Sequence, residues 1–358
     1  MIKTVLLFLF ILTIHFSYAQ SNKDKAMNNV KQALLLEDRG KQDEAIQLLE
    51  EAVSFDPESV HVSYELAIAY YTKADFKKAK DILEKLLERK DVIAAVYHLL
   101  GNTYDKLGNV EKAVDTYIKG LNKFINAGEL YLEMGTMFLS RKEYDAALGY
   151  YENGIKADPA FASNYYWAAR IFCNSNETIW GLIYGEIFLN LERDSKRTDE
   201  ICKLLYDTYN KSIRFPRDSS FSIRFSKPAV AVNPDTAHKN KIPFAKSAYE
   251  PALMLALLRE KAVDLNSLSR IRKYFVESYF KSGNYLNYPN VLFDFQYRVL
   301  KAGHMDAYNR WILFKGDEAS GNTWVNANRQ KWDDFIKWFA KNKLLLDSNY
   351  KFYRAQYD

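Results

Sequence analysis

Apolar residues recur at the spacing of an α-helix through much of the first 195 residues. Residues 128–161 contain two such runs, separated by the polar stretch SRKEY: Leu130, Met134, Met137 and Phe138 in the first, and Tyr144, Ala147, Leu148 and Tyr151 in the second. Intervals of three and four residues place apolar side chains on one face of a helix. The segment is therefore predicted to form two amphipathic helices joined by a short turn.

The same segment matches the chain upstream when it is shifted by 34 residues. Gly135 aligns with Gly101, Ala67 and Ala33, and Ala147 aligns with Ala113, Ala79 and Ala45. Four consecutive repeats, residues 26–59, 60–93, 94–127 and 128–161, follow without insertion or deletion. Small residues are expected where two helices approach most closely, because the side chains at the contact set the distance between the helix axes.

This pattern resembles the tetratricopeptide repeat, which has the same 34-residue period and the same small, aromatic and proline positions. The resemblance implies an all-α solenoid of helix hairpins, wound as a right-handed superhelix, over residues 26–214. A degenerate fifth repeat at 162–195 keeps Tyr165, Phe172, Gly181 and Phe188 in register, but Gly185 replaces a large residue. Residues 196–213 are predicted to be a helix that caps the last hairpin, because open-ended stacks need a polar terminal surface.

The repeat period ends after Ile213. Alternating residues at Ser220–Phe225 and prolines at 228, 234 and 243 predict a loop with at most one short β-hairpin. Helical spacing then resumes in four segments up to Leu345. The predicted fold is thus an all-α solenoid followed by a second, mainly helical domain at residues 215–358.

The net charge of +5 conceals an asymmetry between these two parts. Residues 4–214 carry 26 basic and 31 acidic residues, whereas residues 215–358 carry 23 and 14. The last 48 residues hold four of the six tryptophans: Trp311, Trp324, Trp332 and Trp338. A basic, aromatic-rich domain could bind an anionic cell-envelope surface or glycan. The shared helical face of Phe335, Trp338, Phe339 and Leu344 favours instead an ordinary buried core.

The first 19 residues have the layout of a secretory signal peptide. Lys3 precedes an apolar run from Val5 to Ile14, and Ser17 and Ala19 offer small residues for cleavage. The apolar run is about half of the roughly 20 residues that span a bilayer. We therefore expect an exported, periplasmic or envelope-associated protein, with an N-terminal extension at 20–25 and no transmembrane span in the mature chain. The whole chain resembles exported repeat proteins of Gram-negative bacteria.

The sequence contains no pattern typical of catalysis or metal binding. The histidines after the predicted signal peptide have no metal-ligand spacing to one another or to Cys173 or Cys202: His61, His98, His238 and His304. Nucleophile, metalloprotease and phosphate-binding motifs are also missing. The protein is therefore predicted to be non-catalytic, without cofactor or metal, and as an exported protein it is not expected to bind nucleic acid. The two cysteines could form one disulfide or stay as free thiols.

The resemblance to tetratricopeptide repeats also implies where a ligand binds. In that family the ligand-facing residues lie on the first helix of each repeat, at repeat positions 2, 5, 9, 12 and 13. Carried over, the predicted groove residues are Leu34, Tyr64, Ile68, Tyr71, His98, Asn102, Glu129, Thr136, Tyr166 and Arg170. The expected function is a scaffold that binds a protein or peptide partner through this groove. The alternative is binding of a cell-envelope glycan or anionic surface by the basic domain, with the repeats as a spacer.

Overall fold

The computed structural model describes the backbone of residues 2–217, 220–227 and 243–357, and the side chains from Gln20 onward in those ranges except that of Arg217. These residues form two compact units, which we name the N-terminal unit (residues 1–125) and the C-terminal unit (residues 126–358). Helices dominate both units, which confirms the predicted all-α class.

The N-terminal unit consists of three helix hairpins. Its helices are α1 (Ile2–Glu37), α2 (Gln42–Phe55), α3 (Val60–Thr72), α4 (Phe76–Leu87), α5 (Ala94–Lys106) and α6 (Val110–Lys123). Each hairpin pairs two successive helices, and α2 packs against α3 and α4 against α5, so the hairpins stack in sequence order. The first helices α1, α3 and α5 contact one another in turn and form one layer. Each hairpin corresponds to one 34-residue repeat.

The turns between paired helices use the left-handed backbone region at one repeat position. Gly40 and Gly108 adopt φ angles of 73° and 78°, which glycine does without steric cost. Ala74 and Lys142 occupy the equivalent position in the second and fourth repeats, with φ angles of 64° and 62°. Because a side chain costs about 1–2 kcal/mol in this region, the hairpin geometry overrides the local preference of these two residues.

Small residues lie where the two helices of a hairpin approach closely. A Cβ atom added to Gly101 would overlap the ring of Tyr117, and one added to Gly135 would overlap the ring of Tyr151. Both tyrosine side chains are buried. The predicted reason for the small positions is therefore confirmed in both units.

A repeated hydrogen bond links successive hairpins of the N-terminal unit. The Tyr70 hydroxyl donates to the Glu50 carboxylate, and one repeat later the Tyr104 hydroxyl donates to the Glu84 carboxylate. The next repeat has Phe138 at this position, which lacks the hydroxyl. Among the described repeats, a tyrosine at this repeat position bonds a glutamate of the preceding repeat only in the second and third repeats.

The C-terminal unit begins with two further hairpins and a following helix: α7 (Gly128–Ser140), α8 (Tyr144–Ala157), α9 (Ala162–Cys173), α10 (Thr178–Leu191) and α11 (Lys196–Ser212). Strands β1 (Ile213–Arg217) and β2 (Ser220–Ile223) pair antiparallel, with Ile213 opposite Ile223. This hairpin is the only sheet among the described residues, in agreement with the sequence.

Seven more α-helices complete the described part of the C-terminal unit: α12 (Glu250–Leu257), α13 (Leu265–Lys281), α14 (Asn284–Asn287), α15 (Val291–Lys301), α16 (Met305–Leu313), α17 (Glu318–Ala327) and α18 (Arg329–Lys341). A π-helical turn (Ala245–Tyr249) precedes α12, and 3₁₀ turns lie at Phe314–Gly316 and Arg354–Tyr357. Helix α13 packs against α12, α15 and α16. The predicted helical character of this region is therefore confirmed.

Helix α10 lies at the centre of the C-terminal unit. All residues from 178 to 190 are buried, because α9 and α11 pack against this helix and α15 also contacts it. A helix that is buried on every side needs other elements to enclose it. This enclosure explains why the fifth repeat departs from the pattern of the first four.

One continuous core extends from Ala147 in α8 to Tyr357 near the end of the chain. The repeat pattern predicted a domain boundary at residue 214, whereas the division between the compact units lies after Ile125. The physical reason for this difference is that helices beyond residue 214 pack onto the last repeats and share their apolar core. Periodicity reports which face of a helix is apolar and carries no information about which helices share a core.

The aromatic residues near the C-terminus belong to this core. Phe335 is fully buried, and Trp311 and Phe339 are 8% and 9% exposed. Phe352, in the segment after α18, places its ring centre 5.4 Å from that of Tyr184 in α10. Packing therefore accounts for the aromatic pattern, and surface binding by the basic region stays a prediction.

Cys173 and Cys202 are free thiols, and both are buried. No helix in the described part of the chain has the length and apolar character needed to cross a membrane. The predicted signal peptide, residues 1–19, lies outside the residues whose side chains the structure describes, so it stays a prediction.

Candidate functional site

Six of the predicted groove residues lie on the layer of first helices in the N-terminal unit: Leu34, Tyr64, Ile68, Tyr71, His98 and Asn102. Leu34 on α1 is 42% exposed, and the other five side chains, on α3 and α5, are half-buried. Residues four or seven positions apart share one face of a helix. We name the surface formed by these six residues the N-terminal inner face; its role in binding stays a prediction.

Neighbouring side chains hold the N-terminal inner face in place. The ring of Tyr71 packs edge-on against Phe76 at the start of α4, with the ring centres 5.3 Å apart. Tyr117 donates a hydrogen bond to Asn102 Oδ1, and Asn102 Nδ2 lies 3.1 Å from His98 Nε2. The Asn102 amide is thereby oriented from two sides. The face thus combines apolar side chains on α1 and α3 with a fixed polar pair on α5.

Carboxylates border the apolar side chains of this face. Glu37 ends α1, and the Gln42 amide donates to Glu37 Oε1 (3.1 Å) and to the Ala69 carbonyl oxygen of α3 (3.1 Å). Burial raises the pKa of Glu37, the Gln42 hydrogen bond opposes this shift, and the charges of Glu65 and Asp38 add to it. The pKa of Glu37 is therefore above its ordinary value. Like charges lie close together at this edge of the face.

Four predicted groove residues lie in the C-terminal unit, and we name their surface the C-terminal inner face: Glu129 and Thr136 on α7, and Tyr166 and Arg170 on α9. Glu129 and Thr136 are half-buried, but Tyr166 is only 5% exposed. The Tyr166 hydroxyl donates to the Glu200 carboxylate on α11 at 2.6 Å. The expectation that Tyr166 faces a ligand is therefore corrected: the helix after the last repeat covers this side chain.

Arg170 is also committed to contacts within the C-terminal unit. Arg170 Nε lies 3.1 Å from the Glu200 carboxylate, and Arg170 Nη1 donates to the Tyr166 hydroxyl at 3.2 Å. Its guanidinium group lies 4.7 Å from the ring centre of Trp167. Repeat position 9 predicts that the Arg170 guanidinium group faces a ligand. In the structure, this group is paired with the Glu200 carboxylate. Glu200 lies outside the repeats, so no repeat alignment points to this pairing.

An open cleft of about 960 Å³ lies beside Arg170. Its lining includes Leu139, Leu148, Trp167, Arg170, Lys227 and Arg354. Sequence reasoning missed this cleft because Lys227 and Arg354 are far from the repeats along the chain. Lys227 Nζ lies 3.0 Å from the Glu177 carboxylate, and Arg354 Nη2 lies 3.2 Å from the Glu152 carboxylate. The basic groups of the cleft are therefore already paired within the protein.

The most enclosed charges of the C-terminal unit form a structural network. Glu186 Oε1 accepts hydrogen bonds from Arg272 Nη2 (2.6 Å), Gln296 Nε2 (2.6 Å) and the Tyr308 hydroxyl (2.8 Å). Burial lowers the pKa of Arg272, but the Glu186 carboxylate outweighs this effect and raises it. All four side chains are buried, so the network lies within the core of the C-terminal unit. Within the described residues, no three His, Cys, Asp or Glu side chains are grouped to hold a metal ion.

The repeats match known protein families. Two tetratricopeptide-repeat family models match residues 36–100 and residues 94–122. Residues 36–122 of the chain therefore contain tetratricopeptide repeats. No curated protein matches the chain in sequence. The matched residues all lie in the N-terminal unit.

Solved structures of other tetratricopeptide-repeat proteins resemble part of the chain. PilF of Pseudomonas aeruginosa is 17% identical, with 52% of this chain and 84% of PilF covered and a TM-score of 0.44. A tetratricopeptide-repeat protein of Thermus thermophilus is 17% identical, with 50% and 98% covered and a TM-score of 0.43. YrrB, described as having an unusual peptide-binding site, is 21% identical, with 50% and 92% covered and a TM-score of 0.33.

Proposed function

We propose that this tetratricopeptide-repeat protein is a non-catalytic scaffold that binds a protein or peptide partner through the N-terminal inner face. The observation that carries the proposal is the exposure of large apolar side chains at groove positions of adjacent helices. Leu34 on α1 is 42% exposed, and Tyr64, Ile68 and Tyr71 on α3 remain half-buried. Burying such side chains is worth about 25 cal/mol per Å² of apolar surface.

The rigidity of the face supports binding. The apolar side chains stand on helices packed in one layer, and Tyr71 and Asn102 are held by contacts to Phe76 and Tyr117. A preformed surface loses less conformational entropy on binding than a flexible one. An extended or helical segment with a few large apolar side chains suits a surface of this kind.

The C-terminal inner face supports the proposal less. Tyr166 and Arg170, at positions 5 and 9 of the fifth repeat, are occupied by contacts to Glu200. A partner would have to replace these contacts before it could use the two side chains. We therefore place the main binding surface in the N-terminal unit.

A capture experiment tests the proposal. Mature protein is immobilised and incubated with a cell-envelope extract, and bound proteins are identified by mass spectrometry. We expect a bound protein that disappears with the double variant Tyr64→Ala, Tyr71→Ala and persists with Tyr285→Ala, which removes a ring that is 40% exposed on α14. Circular dichroism confirms that each variant is folded. The same set of bound proteins with all three forms would overturn the proposal.

We also propose that the protein is exported to the periplasm or cell envelope. The support is the sequence of residues 1–19, with a basic start, an apolar run and small residues before the predicted cleavage site. N-terminal sequencing of protein purified from cells should start at Gln20. An intact Met1 on protein from the cytoplasmic fraction would contradict export.

A further inference from the structure

Acidic side chains border the apolar side chains of the N-terminal inner face. Glu37, Asp38 and Glu65, which we name the inner-face carboxylates, lie on or directly after α1 and α3, the helices that carry Leu34 and Ile68. One basic side chain, His61, approaches them among the described residues, with Nδ1 3.5 Å from the Glu65 carboxylate. The chemistry of this surface therefore specifies a partner more closely than its apolar character does.

The ends of the helices add to the negative potential. The carbonyl groups at a helix C-terminus carry a partial charge of about half an electron, which basic residues in the last turn commonly offset. Neither α1, which ends at Glu37, nor α3, which ends at Thr72, has a basic residue in its last turn. The Gln42 amide bonds both Glu37 and the Ala69 carbonyl, so the two helix ends are adjacent.

The basic residues in the nearby turns do not neutralise this edge. Lys41, after α1, pairs with Glu44, and Lys73, after α3, pairs with Asp43. Arg39 is exposed and, in the part of the chain that the structure describes, forms no ion pair with the inner-face carboxylates. The inner-face carboxylates could therefore pair with basic side chains of a partner.

We propose that the N-terminal inner face binds a cationic amphipathic segment of a partner protein, with apolar side chains against Leu34, Ile68 and Tyr71 and Lys or Arg side chains against the inner-face carboxylates. This inference rests on the proposed function and adds the chemistry of the partner. Complementary charge selects a partner and speeds its association, and like charge excludes others. A basic segment also relieves the repulsion that Glu37 experiences from Asp38 and Glu65.

Two synthetic amphipathic peptides of equal length test the inference: one contains Leu and Lys, and its twin has Glu at every Lys. Binding to the full-length mature protein is measured by fluorescence anisotropy at low and high salt. We expect the Leu/Lys peptide to bind and to weaken with salt, because salt screens exposed charges. The double variant Glu37→Gln, Glu65→Gln should weaken it about tenfold, because two ion pairs with the peptide are lost.

A matched control separates this effect from general attraction to an acidic protein. Glu88→Gln, Glu111→Gln removes the same charge from the residue after α4 and from α6, outside the inner face, and should leave binding within about twofold. An equal loss with both double variants would overturn the inference. Preferential binding of the Leu/Glu peptide that Tyr71→Ala abolishes would also overturn it, while the proposed groove function would stand. If neither peptide depends on Tyr71, the inference fails, and the capture experiment decides the proposed function separately.

Discussion

The two units are built from the same helix hairpin, but the side chains at its groove positions differ in exposure. In the N-terminal unit, Leu34 and the half-buried Ile68 stay at the surface beside the inner-face carboxylates. In the C-terminal unit, Tyr166 and Arg170 are joined to Glu200 of the following helix. A repeat position thus predicts which way a side chain points, and the next packed element decides whether a partner can reach it.

The distribution of tryptophan makes this comparison measurable. All six tryptophans lie after residue 126, from Trp167 to Trp338. Tryptophan fluorescence therefore reports unfolding of the C-terminal unit alone, whereas far-UV circular dichroism reports the helices of both units. Comparing the two signals therefore assigns a change in stability to one unit.

The largest effect is expected from Glu186→Gln in the C-terminal unit. The change leaves the buried Arg272 without its counter-charge, which costs about 3–5 kcal/mol when a buried pair is broken. We expect the urea midpoint of tryptophan fluorescence to fall sharply. Glu318→Gln, at a carboxylate that is 53% exposed, is the control and should leave the midpoint in place. An unchanged midpoint for Glu186→Gln would show that the network does not stabilise this core.

A smaller effect is expected when the close approach within a hairpin is blocked in each unit in turn. Gly101→Ala and Gly135→Ala each place a methyl group against a buried tyrosine ring, and overpacking costs about 1–3 kcal/mol. Only Gly135→Ala should shift the tryptophan signal. Gly149→Ala on α8 has no atom within 4 Å of the new Cβ and should instead stabilise by up to about 1 kcal/mol. A shift of the tryptophan signal by Gly101→Ala would mean that the units unfold together.

Tyr104→Phe tests the repeated hydrogen bond that links successive hairpins of the N-terminal unit. Loss of the bond to Glu84 should cost about 0.5–1.5 kcal/mol, seen by circular dichroism and not by tryptophan fluorescence. Glu84→Gln keeps an acceptor for the hydroxyl and should cost less. Equal costs for both substitutions would show that the charge of Glu84, and not the hydrogen bond, is what matters.

The smallest effect is a gain in stability at the left-handed turns. Ala74→Gly and Lys142→Gly each relieve a positive φ angle and should stabilise by about 0.5–1 kcal/mol, because the strain removed exceeds the entropy that glycine adds to the unfolded chain. The gain for Lys142→Gly should appear in tryptophan fluorescence, and that for Ala74→Gly in circular dichroism only. Gly108→Ala is the reverse control and should destabilise. A loss of stability with either glycine substitution would contradict the assigned strain.

The regular repeats could be predicted from the sequence because each rests on local geometry. The spacing of Gly101, Gly135 and their equivalents records a helix–helix contact inside one hairpin, and Gly40 and Gly108 mark turns that need a positive φ angle. Such contacts join residues of the same hairpin, for example Gly101 and Tyr117. Their residue types therefore recur from repeat to repeat and can be recognised without a structure.

Which side chains of the candidate site are exposed could be predicted only in part. The repeat positions placed Leu34, Ile68 and Tyr71 on one layer, but they also placed Tyr166 among the open residues. Its burial depends on Glu200 in α11, which belongs to no repeat. The cleft beside Arg170 was missed for the same reason, because Lys227 and Arg354 reach it from distant parts of the chain.

The sequence by itself determined the period, the hairpins, their turns and the all-α class, because these follow from contacts between residues close together along the chain. Only the tertiary structure decided that α10 is enclosed, that one core joins Ala147 to Tyr357, and that α11 covers Tyr166 whereas Leu34 stays exposed on α1. These properties depend on which distant helices pack together. Such packing leaves no periodic signal, since each contact of this kind occurs once.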